Sequence, residues 1–206
     1  GGEQDMRKMG GIWKLIPETY ILMWIGNLAL AGIPFFAGYY SKDIILEAAY
    51  AAHSTVGQFA YWLGIAAAFM TAFYSWRLLF MTFHGKPRAS KHVMSHVHES
   101  PQVMLMPLYF LAAGALGAGL WGHDFFVGDY RIKFWESSIF VNPDNDSIAA
   151  AYHVAGWVKL LPTFIGAAGI LLAFIMYMKA TKLPAKIAGA FKSLHNFLYN
   201  KWYFDE

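Results

Sequence analysis

The sequence contains no cysteine and few charged residues. Aspartate, glutamate, lysine and arginine make up 14% of its 206 residues, against about 25% in an ordinary soluble domain. Without cysteine the chain forms no disulfide, no thiolate metal site and no cysteine-held iron–sulfur cluster. The net charge of +3 is too small to indicate a nucleic-acid partner, whereas a hydrophobic content of 57% favours a membrane protein.

The motifs that mark common enzymes are also missing. The chain has no phosphate-cradling glycine loop, no catalytic triad signature and no dinucleotide-binding fingerprint. His92 and His96 have the spacing of a zinc pair, but no glutamate follows His92 and the segment is a loop bounded by prolines. We therefore predict no metal site. The chain starts with Gly1 rather than Met and has no signal peptide, so we expect a piece of a longer polypeptide.

Four long apolar stretches predict an all-α, polytopic membrane protein. A bilayer core about 30 Å thick needs about 20 apolar residues per spanning helix. The predicted spans are residues 20–52, 59–83, 103–121 and 154–178. The first is too long for one straight crossing and contains the sequence Gly-Ile-Pro at 32–34, which predicts a broken helix.

Loop charges predict the orientation of these spans. Four crossings place both ends of the chain on one side, where eleven lysines and arginines lie, and leave only Arg131 and Lys133 on the other. By the positive-inside rule, the lead-in 1–19 and the loop 84–102 are on the inner side, and the loop 122–153 is on the outer side. Residues 183–206 have apolar side chains at helical spacing and predict the start of an amphipathic helix on the inner surface.

A lysine–aspartate pair, Lys42 and Asp43, follows directly on the uncharged run 19–41. In one interpretation Lys42 lies at the outer interface and extends its amine to water. In the other, the broken helix admits water and frees backbone carbonyls, so that Lys42 exchanges a proton inside the membrane. Glu47 lies four residues beyond Asp43 and can share its helix face. The residues alone leave both interpretations open.

Two further residues are candidates for a proton path. Arg77 ends a run of 29 uncharged residues and is expected about 10 Å from the inner boundary. It either extends to that boundary or sets the electric field along the path. His84 comes directly after the second span, where a proton enters or leaves the membrane.

Several motifs together resemble one protein family. Ser-Lys-Asp at 41–43 follows the Gly-Ile-Pro break, and Phe-His-Gly-Lys at 83–86 follows the next span. With residues 6–11 and 200–205, they resemble the C-terminal portion of the antiporter-like subunits of respiratory complex I, especially the subunit L branch. Mrp-type sodium/proton antiporters and membrane-bound hydrogenases are the wider relatives.

The resemblance implies proton translocation coupled to electron transfer from NADH to quinone, with this chain as part of an enzyme subunit. It implies that Lys42 carries protons in an exit half-channel with Asp43 beside it. Glu47, Arg77 and His84 remain additional candidates. It further implies no redox centre or cofactor in this chain, because NADH, FMN, iron–sulfur clusters and quinone are expected in other subunits.

The expected partners are neighbouring antiporter-like membrane subunits, the lipid bilayer, water and protons. The expected location is the bacterial plasma membrane or the mitochondrial inner membrane. An Mrp-type Na+/H+ antiporter subunit or a hydrogenase antiporter-like subunit is the alternative. A structural membrane scaffold, in which Lys42 only reaches for water, is a third class.

Overall fold

The computed structural model describes residues 2–142 and 145–204, which are mainly helical and include no strand. The all-α prediction is thereby confirmed. Gly1, residues 143–144 of the predicted outer loop, and residues 205–206 of the predicted amphipathic helix lie outside the described residues. Within them the α-helices are α1 (Pro17–Ala31), α2 (Ala37–Ala51), α3 (Thr55–Phe83), α4 (Lys91–Ser95), α5 (Gln102–Phe126), α6 (Arg131–Trp135), α7 (Ser147–Ala151), α8 (Gly156–Phe174), α9 (Leu183–Ala190) and α10 (Lys192–Tyr199).

Three of the described helices are long and apolar enough to cross a membrane. They are α3, α5 and α8, the last extended by a π-helical turn over Ile175–Lys179. Helices α1 and α2 have 15 residues each, so each is about 22 Å long and shorter than a bilayer core. A fourth crossing made by α1 and α2 together therefore stays a prediction.

The chain between α1 and α2 is broken by glycine geometry. Gly32 takes the left-handed conformation, with φ 71° and ψ 41°, which a residue without Cβ adopts at no steric cost. Its amide and that of Ile33 bond back to the carbonyls of Ala29 and Leu28. This is a typical glycine ending for a helix, and α2 starts again at Ala37.

The long helices pack in the order α5, the α1–α2 pair, α3 and α8. Helices α3 and α8 meet through small residues, which allow close approach in the absence of a hydrophobic driving force between membrane helices. A Cβ at Gly169 of α8 would lie 2.6 Å from the carbonyl oxygen of Phe69 on α3. The end of α3 also holds the lead-in segment, since Gly11 and Trp13 donate amide hydrogen bonds to His84 and Phe83.

Several observed boundaries differ from the predicted ones. The second predicted span begins earlier, at Thr55, because the hydroxyl of Ser54 accepts the amide hydrogen of Gly57 and caps the helix. The third continues to Phe126 rather than residue 121, because polar residues are tolerated in the last turn of a membrane helix. The fourth begins at Gly156 and ends at Lys179. The predicted lead-in 1–19 already contains the first turn of α1, which Pro17 starts.

The predicted loops and the C-terminal segment also differ in detail. The inner loop contains α4, and the outer loop contains α6 and α7. Residues 183–204 form α9 and α10 rather than one continuous helix, because Phe191 between them has non-helical φ and ψ of −111° and 46°. None of the residues in α9 and α10 is buried by the described chain.

Candidate functional site

The amine of Lys42 lies at the break between α1 and α2. Its Nζ donates a hydrogen bond of 2.8 Å to the carbonyl oxygen of Ala31, the last residue of α1. The last carbonyls of a helix have no intrahelical partner and carry the negative end of the helix dipole. Lys42 therefore satisfies a helix end across the break, and the backbone in return favours its charged form.

Glycines make this approach possible. A Cβ at Gly32 would lie 2.7 Å from Cε of Lys42 and would also contact Nζ. A Cβ at Gly38 would collide with the carbonyl oxygen of Ala29. The two glycines of the sequence motif therefore have different roles. Gly38 lets α2 pack on the end of α1, and Gly32 leaves room for the lysine side chain.

Lys42 also borders a cavity of about 430 Å³ between the α1–α2 pair and α3. The polar side chains in its lining are Ser41, Lys42 and Thr71. Leu30 and Ile45 also line this cavity, and both are exposed. The cavity is therefore open at the surface of the described chain. Its volume is sufficient for several water molecules.

Asp43 and Glu47 occupy a different face of α2 from Lys42. They are 5% and 9% exposed. Neither oxygen of Asp43 has a hydrogen-bond partner within the part of the chain that the structure describes. A buried carboxylate without partners is costly, and such groups are frequent at functional sites. The predicted sharing of one face by Asp43 and Glu47 is consistent with the burial of both.

Arg77 lies on α3, away from the Lys42 cavity. Its Cζ is 5.4 Å from the ring centre of Tyr177 in the π-helical turn, and its buried Nε has no partner among the described residues. Thr71, the nearest cavity residue on α3, is six residues away, or about 9 Å. Arg77 is therefore placed to act on Lys42 only through its field.

His84 lies at the opposite end of α1 from Lys42. Its Nε2 is 3.0 Å from the hydroxyl of Tyr20, and burial lowers the pKa of His84 below its ordinary value. Tyr20 and Ala31 are eleven residues apart on α1, which corresponds to about 16 Å. The structure thus brings Lys42, Asp43 and Glu47 onto one helix, while Arg77 and His84 stand apart.

The sequence interpretation missed Glu99, which caps α1 from the inner loop. Its carboxylate accepts hydrogen bonds from the amides of Glu18 and Thr19 and from the hydroxyl of Thr19. Burial acts to raise the pKa of Glu99, but the bonds from Thr19, Glu18 and Ser100 outweigh it and hold that pKa below its ordinary value. The available signal was that Glu99 is the only acidic residue in the basic loop 84–102.

The sequence interpretation also missed His123, near the outer end of α5. Its ring lies 5.6 Å from that of Tyr40 on α2, and its Nε2 is 3.4 Å from the hydroxyl of Tyr152. His123 and Tyr40 also line a cavity of about 230 Å³ between α2 and α5. A lone histidine in the last turn of a helix is common, so its sequence position carried no distinctive signal.

Comparison with known proteins finds a matching family and relatives that cover the whole chain. Residues 1–71, which contain α1, α2 and the start of α3, match the family described as NADH:quinone oxidoreductase/Mrp antiporter, TM. NADH-ubiquinone oxidoreductase chain 5 of Phytophthora infestans is 44% identical over 100% of this chain and 31% of its own length. NADH-quinone oxidoreductase subunit L of Rhodobacter capsulatus is 37% identical over 99% of this chain and 38% of its own length.

The similarity extends to other organisms and covers a limited part of each relative. Chain 5 of Dictyostelium discoideum is 46% identical over 85% of this chain and 26% of its own length. The chain spans about a third of the length of the relatives that cover it whole. Since the matches include every helix described above and the family is a transmembrane one, the chain is a membrane protein and belongs to the family of antiporter-like membrane subunits of NADH:quinone oxidoreductase.

Proposed function

We propose that this chain supplies the exit half of a proton channel in a membrane subunit of NADH:quinone oxidoreductase. Lys42 is the proton carrier, and its contact with Ala31 at the helix break is the observation that carries the proposal. An amine bonded only to a backbone carbonyl, beside a cavity large enough for water, can lose and regain a proton without breaking an ion pair.

Asp43 sets the electrostatic cost of changing the charge of Lys42. It is adjacent in sequence and lacks a hydrogen-bond partner in the described part of the chain. When Asp43 is ionised, its negative charge favours the protonated amine. Moving one elementary charge across the membrane costs about 2.3 kcal/mol per 100 mV. When neighbouring groups change their charge and shift the electrostatic energy of protonated Lys42 by about that amount, Lys42 releases its proton. Arg77 keeps its charge throughout and contributes a constant field.

The redox chemistry belongs to other subunits in this proposal. NADH, FMN, iron–sulfur clusters and quinone bind elsewhere in the complex, and this chain couples to them through neighbouring membrane subunits. The mouth of the Lys42 cavity, at Leu30 and Ile45, is exposed in the described chain.

The test uses the full-length protein in its complex, reconstituted into proteoliposomes. Protons translocated per NADH oxidised are measured for Lys42→Ala, Lys42→Arg and the control Lys133→Ala, which removes an exposed lysine in α6. We expect both Lys42 variants to lose most proton translocation, because a guanidinium does not release its proton. The control variant should retain the normal ratio.

Two outcomes would contradict the proposal. Normal translocation by Lys42→Ala would leave Lys42 as an interfacial anchor. Proton movement that requires an imposed sodium gradient and proceeds without NADH would favour sodium/proton exchange; the family description also names the Mrp antiporter.

A further inference from the structure

His123 lies between the exposed Asp124 and the face of α2 that carries Tyr40, Ile44 and Glu47. Glu47 is 9% exposed, whereas the side chains of His123 and Asp124 are 26% and 67% exposed. Nδ1 of His123 lies 3.0 Å from Oδ1 of Asp124. The exposed fraction therefore increases from Glu47 through His123 to Asp124. His123 and Asp124 lie on the side where the loop charges predict the outer face of the membrane.

The hydrogen bonds around His123 satisfy it in both charge states. When the imidazole is neutral, Nδ1–H donates to Asp124 and Nε2 accepts the hydroxyl hydrogen of Tyr152. When it is charged, Nε2–H donates to that hydroxyl oxygen, and Tyr152 turns its hydrogen to the carbonyl oxygen of Val127, 3.1 Å away. The hydroxyl rotor needs no change in packing, so taking up a proton costs His123 no hydrogen bond.

The inner neighbour of this group is Glu47. It forms no hydrogen bond or ion pair within the described residues. On α2 it shares a face with Tyr40 and Ile44, which line the same cavity as His123. Lys159 on α8 donates a hydrogen bond of 2.9 Å to the carbonyl oxygen of Tyr152. Lys159 is therefore held at the segment that carries Tyr152.

We infer that His123 is the proton-release residue of the outer half-channel, and that it takes protons from Glu47 and passes them to outer water. In the first step Tyr152 turns its hydroxyl hydrogen to the carbonyl oxygen of Val127, the O–H bond of protonated Glu47 breaks, and water carries a proton to the freed Nε2 of neutral His123. This leaves a carboxylate and an imidazolium. In the second step Nε2–H of the imidazolium gives its proton to outer water, which restores the neutral ring with Nδ1–H donating to Asp124. Imidazole suits this role because one ring nitrogen can accept a proton while the other keeps its own.

This inference rests on the proposed function, because it takes proton delivery through Lys42 as the source. The test again uses the complete enzyme in proteoliposomes, with a pH-sensitive dye on the side facing the outer loop. His123→Ala and His123→Gln are compared with His153→Gln, which changes an exposed histidine next to Tyr152. We expect proton release by the His123 variants to fall about tenfold and release by the His153 variant to stay normal.

Added imidazole separates a proton-transfer role from a packing role. We expect it to restore release in His123→Ala, because the small base enters the space left beside the cavity of about 230 Å³. Normal release by both His123 variants, or impaired release that imidazole does not restore, would overturn the inference. Lys42→Ala is measured in parallel: normal pumping by that variant would contradict the proposed function, whereas loss in Lys42→Ala with normal His123 variants would contradict this inference alone.

Discussion

The two halves of the broken helix, α1 and α2, differ in whether their polar groups have hydrogen-bond partners. At the start of α1, Glu99 accepts the amide hydrogens of the first turn, and the hydroxyl of Tyr20 pairs with His84. In α2, Asp43 is buried without a hydrogen-bond partner in the described chain. The polar groups at the inner end are thus paired, whereas the outer half contains a buried carboxylate without a partner in the described chain.

This difference separates a structural end from a functional one. Fully paired polar groups hold a segment in one arrangement, whereas a buried carboxylate without partners persists only where the surrounding fold offsets its cost. Lys42 is intermediate between a fully paired group and an unpaired one, because its amine has one partner, a backbone carbonyl. A group with one weak partner changes its charge more easily than one in an ion pair.

The largest expected effect comes from Gly32→Ala, which places a methyl group against Lys42. Gly32 has φ 71°, a conformation that costs other residues about 1–2 kcal/mol. The new Cβ would lie 2.7 Å from Cε of Lys42, so the amine is displaced from Ala31. We expect most proton translocation per NADH to be lost, measured in proteoliposomes of the full complex.

Gly26→Ala is the matched control for that variant. Gly26 lies in the middle of α1, and a Cβ there meets no heavy atom within 4 Å. We expect normal translocation and a slightly more stable helix, because alanine favours helix more than glycine does. Equal loss in both variants would indicate that any added methyl group on this segment disturbs the protein, and that the position of Lys42 is not the cause.

A smaller, local effect is expected from Glu99→Gln at the inner end. The change removes the charge from a carboxylate that caps α1, and loss of a cap costs about 1 kcal/mol. Amide hydrogen exchange in the first turn, at Glu18 and Thr19, should speed up about fivefold. The control Glu136→Gln, in the outer loop, should leave exchange there unchanged, and normal exchange in Glu99→Gln would contradict the capping role.

The same cap predicts a pH dependence. Because the hydrogen bonds hold the pKa of Glu99 below its ordinary value, the folded state binds fewer protons than the unfolded state as the pH falls. The stabilisation is present at neutral pH and is lost as the pH falls below about 4, where glutamate titrates. First-turn exchange should then rise in the unmodified protein and change less in Glu99→Gln.

The smallest effect is expected from Tyr20→Phe, which removes the hydroxyl near Nε2 of His84. One hydrogen bond contributes about 1 kcal/mol, and the ring contact with Phe83 is kept. Thermal unfolding of the purified protein should shift slightly, while protons per NADH stay normal. A large loss of pumping would place His84 in the proton path. It would contradict the assignment of a structural role to the inner end of α1 and a functional role to α2.

Hydrophobic pattern was sufficient to predict the fold class and three long helices. Runs of uncharged residues are long in this chain, so α3, α5 and α8 could be located to within a few residues. Exact helix starts could not be predicted, because Ser54 starts α3 by capping and Pro17 starts α1 through its backbone geometry. The division between α9 and α10 depends on the backbone of Phe191, which no periodicity encodes.

The site was accessible from sequence only in part. Lys42 and Asp43 stood out because a charged pair interrupts an apolar run, and the glycine–proline break predicted a disrupted helix. The partner of Lys42 is a backbone carbonyl, to which sequence gives no clue. His123, Tyr152 and Glu99 contribute through contacts between residues 29 or more positions apart, and such contacts follow from packing.

The central claim is that Lys42 changes its charge during turnover, and the reactivity of its amine tests this most directly. An uncharged acylating reagent attacks only the unprotonated amine, so labelling of Lys42 in the intact complex reports that form when quantified by mass spectrometry. We expect labelling of Lys42 to rise during NADH oxidation relative to the inhibited enzyme, while labelling of Lys133 stays constant. Equal labelling of Lys42 in both conditions would contradict the account.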